Sequence, residues 1–453
     1  MMKFTTNWLV KFFPKYKGIV RDDMAIQEIY IDSRQRVQAG LFIPIIGEKF
    51  NGHHFIKEVV ENGAVAALWQ KDEDIPSFLP DDFPLFFVDD TTSALQSLAT
   101  HYRDEVNPIV IGVTGSNGKT TTKDLFATVF REKYKTYSTK GNFNNHIGLP
   151  LTILQMQRDT ECLILEMGMN HFGEIERLTK IAKPNVAVIT NIGESHIEHL
   201  GSREGIAQAK SEIAKGLHRD GLLIVDGDEP LLKPIIQKYH SITVGFEAGN
   251  DYRIHDVHVL GEQTDFTVNG LTFSISLLGK HHAKNSSFVI AAAQQYGIIY
   301  EKIKKALEHV EMTGMRFEQI RLNSGTTLIN DAYNASPTSM IASIDVVKEM
   351  NAQRKIVVLG DMFELGEHTK ELHKSVAPYI TDPITSLYTI GEASKEIGKW
   401  LEENEVNIPV YSFTEKDELE KALRKELIDN TIILFKASRG MKLESIIQRL
   451  TKD

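Results

Sequence analysis

Ile109-Val-Ile-Gly-Val-Thr-Gly-Ser-Asn-Gly-Lys-Thr-Thr-Thr122 runs from an apolar strand through a glycine-bounded turn into an amphipathic segment containing Leu125, Phe126, Val129 and Phe130. The glycines let successive backbone N–H groups converge on phosphate oxygens, and the start of the helix adds positive potential. Lys119 supplies a mobile cation, and Thr120 offers a hydroxyl to a divalent metal. Strict spacing for such a loop would put glycine at 113; Val113 stands there, with Gly112 and Gly115 instead, so the loop is a variant. The plainer reading is a glycine-rich turn that binds nothing. The Gly-Lys-Thr-Thr run between strand and helix argues against it.

The same pattern continues on both sides. Cys162-Leu-Ile-Leu165, Val186-Ala-Val-Ile-Thr190 and Leu222-Leu-Ile-Val225 each end in a glycine or polar loop followed by helical periodicity. Alternating strands and helices predict a mostly parallel sheet with ligands at the carboxyl ends of its strands. After Met315 a second series places strands near 327–330, 355–359, 387–390 and 431–435. The first hundred residues mix short strands and loops with a helix near 54–62 closed by Gly63. The expected fold is α/β in three domains. A small α/β N-terminal domain covers 1–106, a central phosphate-loop domain with a mostly parallel sheet covers 107–314, and a Rossmann-like α/β domain covers 315–453.

Composition narrows the function classes. Apolar residues at 42% and charged residues at 25% belong to a globular chain without a long disordered tail. A net charge of −10 and the lack of a basic run exclude a phosphate backbone as partner, so no nucleic acid is expected. No apolar run approaches the ~18 residues that cross a bilayer. The opening stretch to Pro14 carries Lys11 in its apolar part and lacks a small-residue cleavage site, which favours an amphipathic first helix over a signal peptide. Cys162, the only cysteine, lies in an apolar strand and reads as a buried thiol. These features point to the cytoplasm.

A metal on nucleotide phosphates needs hard oxygen ligands near Thr120. Glu166 ends a strand, with Gly168 and Asn170 behind it, and reads either as a metal ligand or as a turn cap. Asn191-Ile-Gly-Glu-Ser-His196 ends the next strand; His196 could meet a metal or a phosphate, while His199 reads as a surface histidine. In the helix over 201–215, Ile206, Lys210, Ile213 and Leu217 follow at spacings of four, three and four, which puts Lys210 on the apolar stripe. Such a lysine either snorkels to water or is buried and paired or chemically changed.

Thr114-Gly-Ser-Asn-Gly-Lys-Thr120, Glu166-Met-Gly168, Asn191-Ile-Gly-Glu-Ser-His196 and Ala209-Lys-Ser-Glu-Ile213 together resemble the Mur ligase family over nearly the whole chain. Gly141-Asn-Phe-Asn-Asn-His-Ile-Gly-Leu-Pro150, Asn330-Asp-Ala-Tyr-Asn-Ala-Ser-Pro337, Leu359-Gly-Asp-Met-Phe-Glu-Leu-Gly366 and Lys436-Ala-Ser-Arg439 bring it nearest to the members that join D-alanyl-D-alanine to UDP-N-acetylmuramoyl-tripeptide. The resemblance implies an ADP-forming carboxylate–amine ligase of peptidoglycan synthesis, acting through an acyl phosphate as a monomer. It implies that Gly115, Ser116, Asn117, Gly118, Lys119, Thr120 and Thr121 hold ATP, with Asn285 near adenine. Arg316 and Asp331 would bring the third domain onto the nucleotide. Thr120 and Glu166 would hold one Mg2+, and His196 and a carbamylated Lys210 a second; Lys119, Lys210, His196 and Arg316 would act in catalysis. Asn144 and Asn145 would touch the muramoyl tripeptide, and Tyr333, Asn334 and Ala335 the dipeptide. Ser33, Arg34, Gly47 and His53 would belong to a uridine site in the first domain. His282 and Ala437 depart from the asparagine and glycine usual in the family.

The chemistry fits the architecture. Carboxylate and triphosphate repel each other, a cationic loop screens their approach, and closure of the third domain keeps water from the acyl phosphate. Ser336 as N-cap with Pro337 at the first helical position gives the dipeptide loop a defined helix behind it. A folylpolyglutamate synthetase has a similar loop but no first domain of this kind. A nucleotide switch has no need of a second metal, and a kinase has no obligatory amine acceptor.

Overall fold

The computed structural model describes residues 3–452. Beside a small antiparallel pair, Phe4–Thr5 with Ala25–Ile26, three larger sheets follow one another along the chain. The first has five short strands in the order Tyr16–Lys17, Leu85–Val88, Ala64–Gln70, Gly40–Phe42, Glu28–Tyr30. The expected helix near 54–62 appears as Ile56–Glu61 behind a single 3-10 turn, and Gly63 follows with φ +104°. The first helix is short, Thr6–Val10, capped by Thr5; Met1 and Met2 lie outside the described residues.

The central sheet has nine strands, with Ile109–Thr114 between Cys162–Glu166 and Val186–Ile189, all parallel. Alternate residues of each strand enter different cores. Val110, Leu163, Leu165, Ala187 and Ile189 pack on one face, and Ile111, Val113, Cys162, Ile164 and Val188 on the other. A parallel strand covered by helices on both sides must be apolar throughout, which is why these strands read as continuous runs. The Cys162 thiol is fully buried, and burial raises its pKa, so it is a packing group. Beyond Ser241–Gly245 the sheet adds Tyr252–Leu260 in parallel and then Gln263–Val268 and Leu271–Ile275 in antiparallel register.

The third sheet has six strands, parallel except for the edge strand Glu318–Arg321. Ala437 leaves its Thr431–Lys436 strand fully buried, where a side chain at Gly360 would lie 2.7 Å from its methyl. The extra methyl at 437 is therefore accommodated by the glycine beside it. No described helix is long and apolar enough to cross a membrane.

Two buried histidines in outer domains share one arrangement. His53 pairs Nδ1 with Asn51 Oδ1 at 2.7 Å and accepts from Gln70 N at 3.1 Å; His373 pairs Nδ1 with Thr369 O at 2.6 Å and accepts from Met362 N at 3.0 Å. Each needs a neutral ring with the proton on Nδ1. Burial lowers both pKa values below the ordinary 6.5. The unfolded chain then binds protons first as pH falls through about 6.5, so folding stability drops from there towards the lower folded-state pKa values. Urea midpoints should fall between pH 7 and pH 5, and His373→Gln should flatten that slope; a midpoint that rises on acidification would contradict it.

Candidate functional site

Strand register puts the site together before any side chain is considered. Glu166 pairs with Val113 and Ile189 with Thr114, so the ends of three adjacent strands deliver Glu166, the loop 115–118 and Thr190 to one edge. Gly115 has φ +148°, and a Cβ there would lie 1.9 Å from Thr190 Oγ1. Gly118 has φ +78°, and its Cβ would lie 2.9 Å from Asn285 Oδ1. The loop is held from behind: Ser116 N donates to Asn191 O at 3.0 Å, Asn117 N to Asn191 Oδ1 at 3.0 Å, and Thr190 Oγ1 to Asn117 O at 2.6 Å. Gly115→Ala should therefore cost about 2–3 kcal/mol of stability and abolish nucleotide binding, which denaturant titration and nucleotide fluorescence would read.

Lys119 opens the helix Lys119–Phe130, and its Nζ donates to Gly115 O at 2.7 Å and Ser116 O at 3.2 Å. Burial pulls its pKa down, Glu166 opposes the shift, and Arg316 adds to it. Glu166 is buried; one oxygen accepts from Asn144 Nδ2 at 2.8 Å and the other, Oε2, is buried with no partner. A carboxylate oxygen left bare beside a phosphate loop is a fitting ligand for a hard cation. Among the described residues no group of three or more His, Cys, Asp or Glu side chains is arranged to hold a metal by itself.

These residues line a cavity of about 500 Å3 between the central and third domains. Arg316 crosses into it, donating to Thr120 Oγ1 at 3.0 Å, with its guanidinium 4.0 Å from the centre of the Tyr333 ring. Tyr333, Asn334 and Asp331 line the same cavity, as do Asn144, Asn145 and Asn285, whereas Ala335 is buried and does not line it. Asp331 is held by Lys436 Nζ at 2.6 Å and Ser343 Oγ at 2.6 Å. The helix Pro337–Glu349 starts as its sequence indicates, with Ser336 at the N-cap accepting from Ser339 N at 3.3 Å.

The third domain also touches the loops of the central strands. Ser336 Oγ donates to Asn117 Oδ1 at 3.2 Å, and Thr338 Oγ1 to Glu194 Oε2 at 2.7 Å. His196, with φ +66°, pairs through Nδ1 with Glu364 of the third domain. His199 is exposed.

Lys210 does not snorkel. Its side chain is 1% exposed on the helix Arg203–Ser211 and forms no hydrogen bond or ion pair among the described residues. Burial pushes its pKa well below 10.5, and the neighbouring Lys119 charge pushes the same way. Burial therefore favours the neutral amine more than it does for an exposed lysine.

The first-domain residues do not reach this cavity. Arg34 is exposed and bound in a fork to Asp32 at 2.8 and 2.7 Å; Ser33 O accepts from Asn62 Nδ2 at 3.0 Å; Gly47 N donates to Phe50 O at 2.9 Å. His53, expected beside uridine, is 2% exposed and packs edge-on against Trp69 at 4.7 Å, with both nitrogens committed as described. Its ring serves the domain interior. His282 sits buried against His281, ring centres 4.0 Å apart, and burial holds its pKa well below 6.5.

Sequence reasoning passed over Lys436, Glu364 and Glu194 as site residues although the motifs that contain them were in view; the partners of the two glutamates lie in another domain. Arg177 also lines the cavity, and nothing in its helix pattern marked it.

Comparison with known proteins agrees with this geometry. Residues 25–103 match the Mur ligase family catalytic domain, 113–293 the Mur ligase middle domain, and 315–439 the Mur ligase glutamate ligase domain. The UDP-N-acetylmuramoyl-tripeptide--D-alanyl-D-alanine ligase of Bacillus subtilis is 46% identical over 444 residues, covering 97% of this chain and 95% of its own. The MurF ligase of Thermotoga maritima in complex with ADP superposes with a TM-score of 0.84 at 27% identity, covering 95% of this chain and 99% of its own. An Acinetobacter baumannii UDP-N-acetylmuramoylalanyl-D-glutamyl-2,6-diaminopimelate--D-alanyl-D-alanyl ligase gives 0.85 at 27% identity, covering 99% and 98%. With three matched domains, a phosphate loop flanked by an unpartnered carboxylate oxygen and a third domain reaching Thr120, the chain belongs to the Mur ligase family.

Proposed function

We propose that the chain joins D-alanyl-D-alanine to UDP-N-acetylmuramoyl-tripeptide, converting ATP to ADP and phosphate and giving the UDP-N-acetylmuramoyl-pentapeptide used in peptidoglycan synthesis. The observation that carries this reading is the meeting of residues 116–121, Glu166, Arg316 and Tyr333 in one cavity between two domains. Residues 1–106 would hold the UDP end, 107–314 ATP, and 315–453 the incoming dipeptide. The protein would work as a cytoplasmic monomer.

In the first step a tripeptide carboxylate oxygen attacks the γ-phosphorus of ATP and ADP leaves. Lys119, already fixed on the loop carbonyls, screens the approach of two anions without reorganising. The loop N–H groups hold the phosphates, Asn285 lies beside Gly118 to meet the nucleoside side, and Arg316 reaches the phosphate end from the third domain. Magnesium, when bound, would neutralise phosphate charge, with Thr120 and Glu166 holding one ion and His196 and a carbamylated Lys210 a second. In the second step the dipeptide amine attacks the acyl carbon, and the tetrahedral intermediate collapses with loss of phosphate. Tyr333 and Asn334 would orient the amine, Asn144 and Asn145 the acyl chain. The contacts of Ser336 with Asn117 and of Thr338 with Glu194 keep the two domains together over the acyl phosphate.

Purified protein given ATP, Mg2+ and both substrates should form the pentapeptide nucleotide by mass spectrometry, with none when either is omitted. ATP binding without product from the complete mixture would sink the reading.

A further inference from the structure

Arg177 is the lysine or arginine of the cavity wall that the rest of the site leaves unexplained. Lys119 is bound to loop carbonyls, Arg316 to Thr120 and Lys436 to Asp331, whereas the Arg177 side chain is exposed and has no hydrogen bond or ion pair among the described residues. It lies on the helix Glu174–Ala182, where Glu174, Arg177 and Leu178 line the cavity at spacings of three and one and Ile175, Thr179 and Ala182 are buried. Asn144, Asn145 and Asn170 line the same cavity.

Two features say what it is there for. The start of this helix is already saturated by a carboxylate, since Glu212 accepts from Gly173 N at 2.9 and 3.0 Å and from Glu176 N at 3.2 Å. An anion on this wall would therefore be drawn by the side chain and not by the helix end. The same cavity carries the acids Glu166 and Glu174, and Glu174 is engaged in capping Asn170 N at 2.7 Å and His171 N at 3.3 Å. A peptide that brings carboxylates besides the reacting one meets in this cavity the Arg177 guanidinium, which no group among the described residues engages.

We propose that Arg177 binds a non-reacting carboxylate of the acyl peptide and so selects the peptide bound on this wall. This rests on the ligase reading above. A tripeptide of the kind in the Acinetobacter baumannii relative's name offers two such groups, the free carboxylate of the D-glutamyl residue and the distal carboxylate of diaminopimelate. The planar fork of arginine pairs with either in two parallel bonds, and lysine in its place would keep the charge and lose the fork.

The test is steady-state kinetics of wild type, Arg177→Gln and Arg177→Lys with two tripeptide nucleotides, one ending in diaminopimelate and one in lysine. Loss of a bidentate charged pair raises KM for the peptide by about 10- to 100-fold in Arg177→Gln, less in Arg177→Lys, with KM for ATP and for D-alanyl-D-alanine unchanged. A rise confined to the diaminopimelate peptide assigns the distal carboxylate, and a rise with both assigns the D-glutamyl carboxylate. Unchanged peptide KM in an active Arg177→Gln overturns the proposal. Inactivity of the wild type with both peptides overturns the ligase reading itself, a result visible without any variant.

Discussion

Lys119→Ala should lower phosphate release by about 10³-fold while moving the unfolding midpoint little. The loss follows from what the ammonium does: it is the cation fixed inside the loop, on Gly115 O and Ser116 O, where the γ-phosphoryl group must accept a second anion. The small stability change follows from burial. The charge is held in a desolvated place beside Arg316, and removing it relieves that cost while giving up two hydrogen bonds to carbonyls. Lys119→Arg should fail as well, because a planar fork cannot reproduce a point charge between two carbonyls. Single-turnover phosphate release and a denaturant titration would check both halves. A variant that keeps a tenth of the activity would remove Lys119 from the chemistry.

Lys210→Met should separate stability from activity in opposite directions. A fully buried amine with no partner among the described residues is replaced by an apolar chain of similar length, so the fold should gain about 1–2 kcal/mol. If the neutral amine takes up CO2 and the resulting carbamate holds a metal, activity should fall by about 10²-fold or more. Wild-type activity should then rise with added bicarbonate, and the variant should not respond. A more stable variant with full activity would reduce Lys210 to a packing residue.

How far the sequence reached depended on where each signal was stored. The central strands were readable because both faces of a parallel sheet are buried, which leaves apolar runs such as Cys162–Glu166. The antiparallel extension was not read: Tyr252–Leu260 has one buried residue, Ile254, among half-buried and exposed ones, and its pairing with Gln263–Val268 is a matter of tertiary register. Ser336 and Pro337 declared a helix start locally, and the structure has it there. Lys210 was placed on the apolar stripe by spacing alone. Whether its head reached water depended on elements packed over it, which periodicity does not encode. His53 illustrates the same limit, since Trp69 and Gln70 enclose it from the neighbouring strand. The motifs holding Glu364 and Glu194 were legible but their partners were not, because each meets its partner across a domain boundary.

Isotope transfer tests the acyl phosphate most directly. UDP-N-acetylmuramoyl-tripeptide carrying 18O in both oxygens of its reacting carboxylate would be turned over with ATP and D-alanyl-D-alanine, and the released phosphate weighed by mass spectrometry. One 18O per phosphate is the result predicted, because the oxygen that attacks the γ-phosphorus leaves with it when the amine takes the acyl carbon. Phosphate without label, alongside pentapeptide product, would contradict the account.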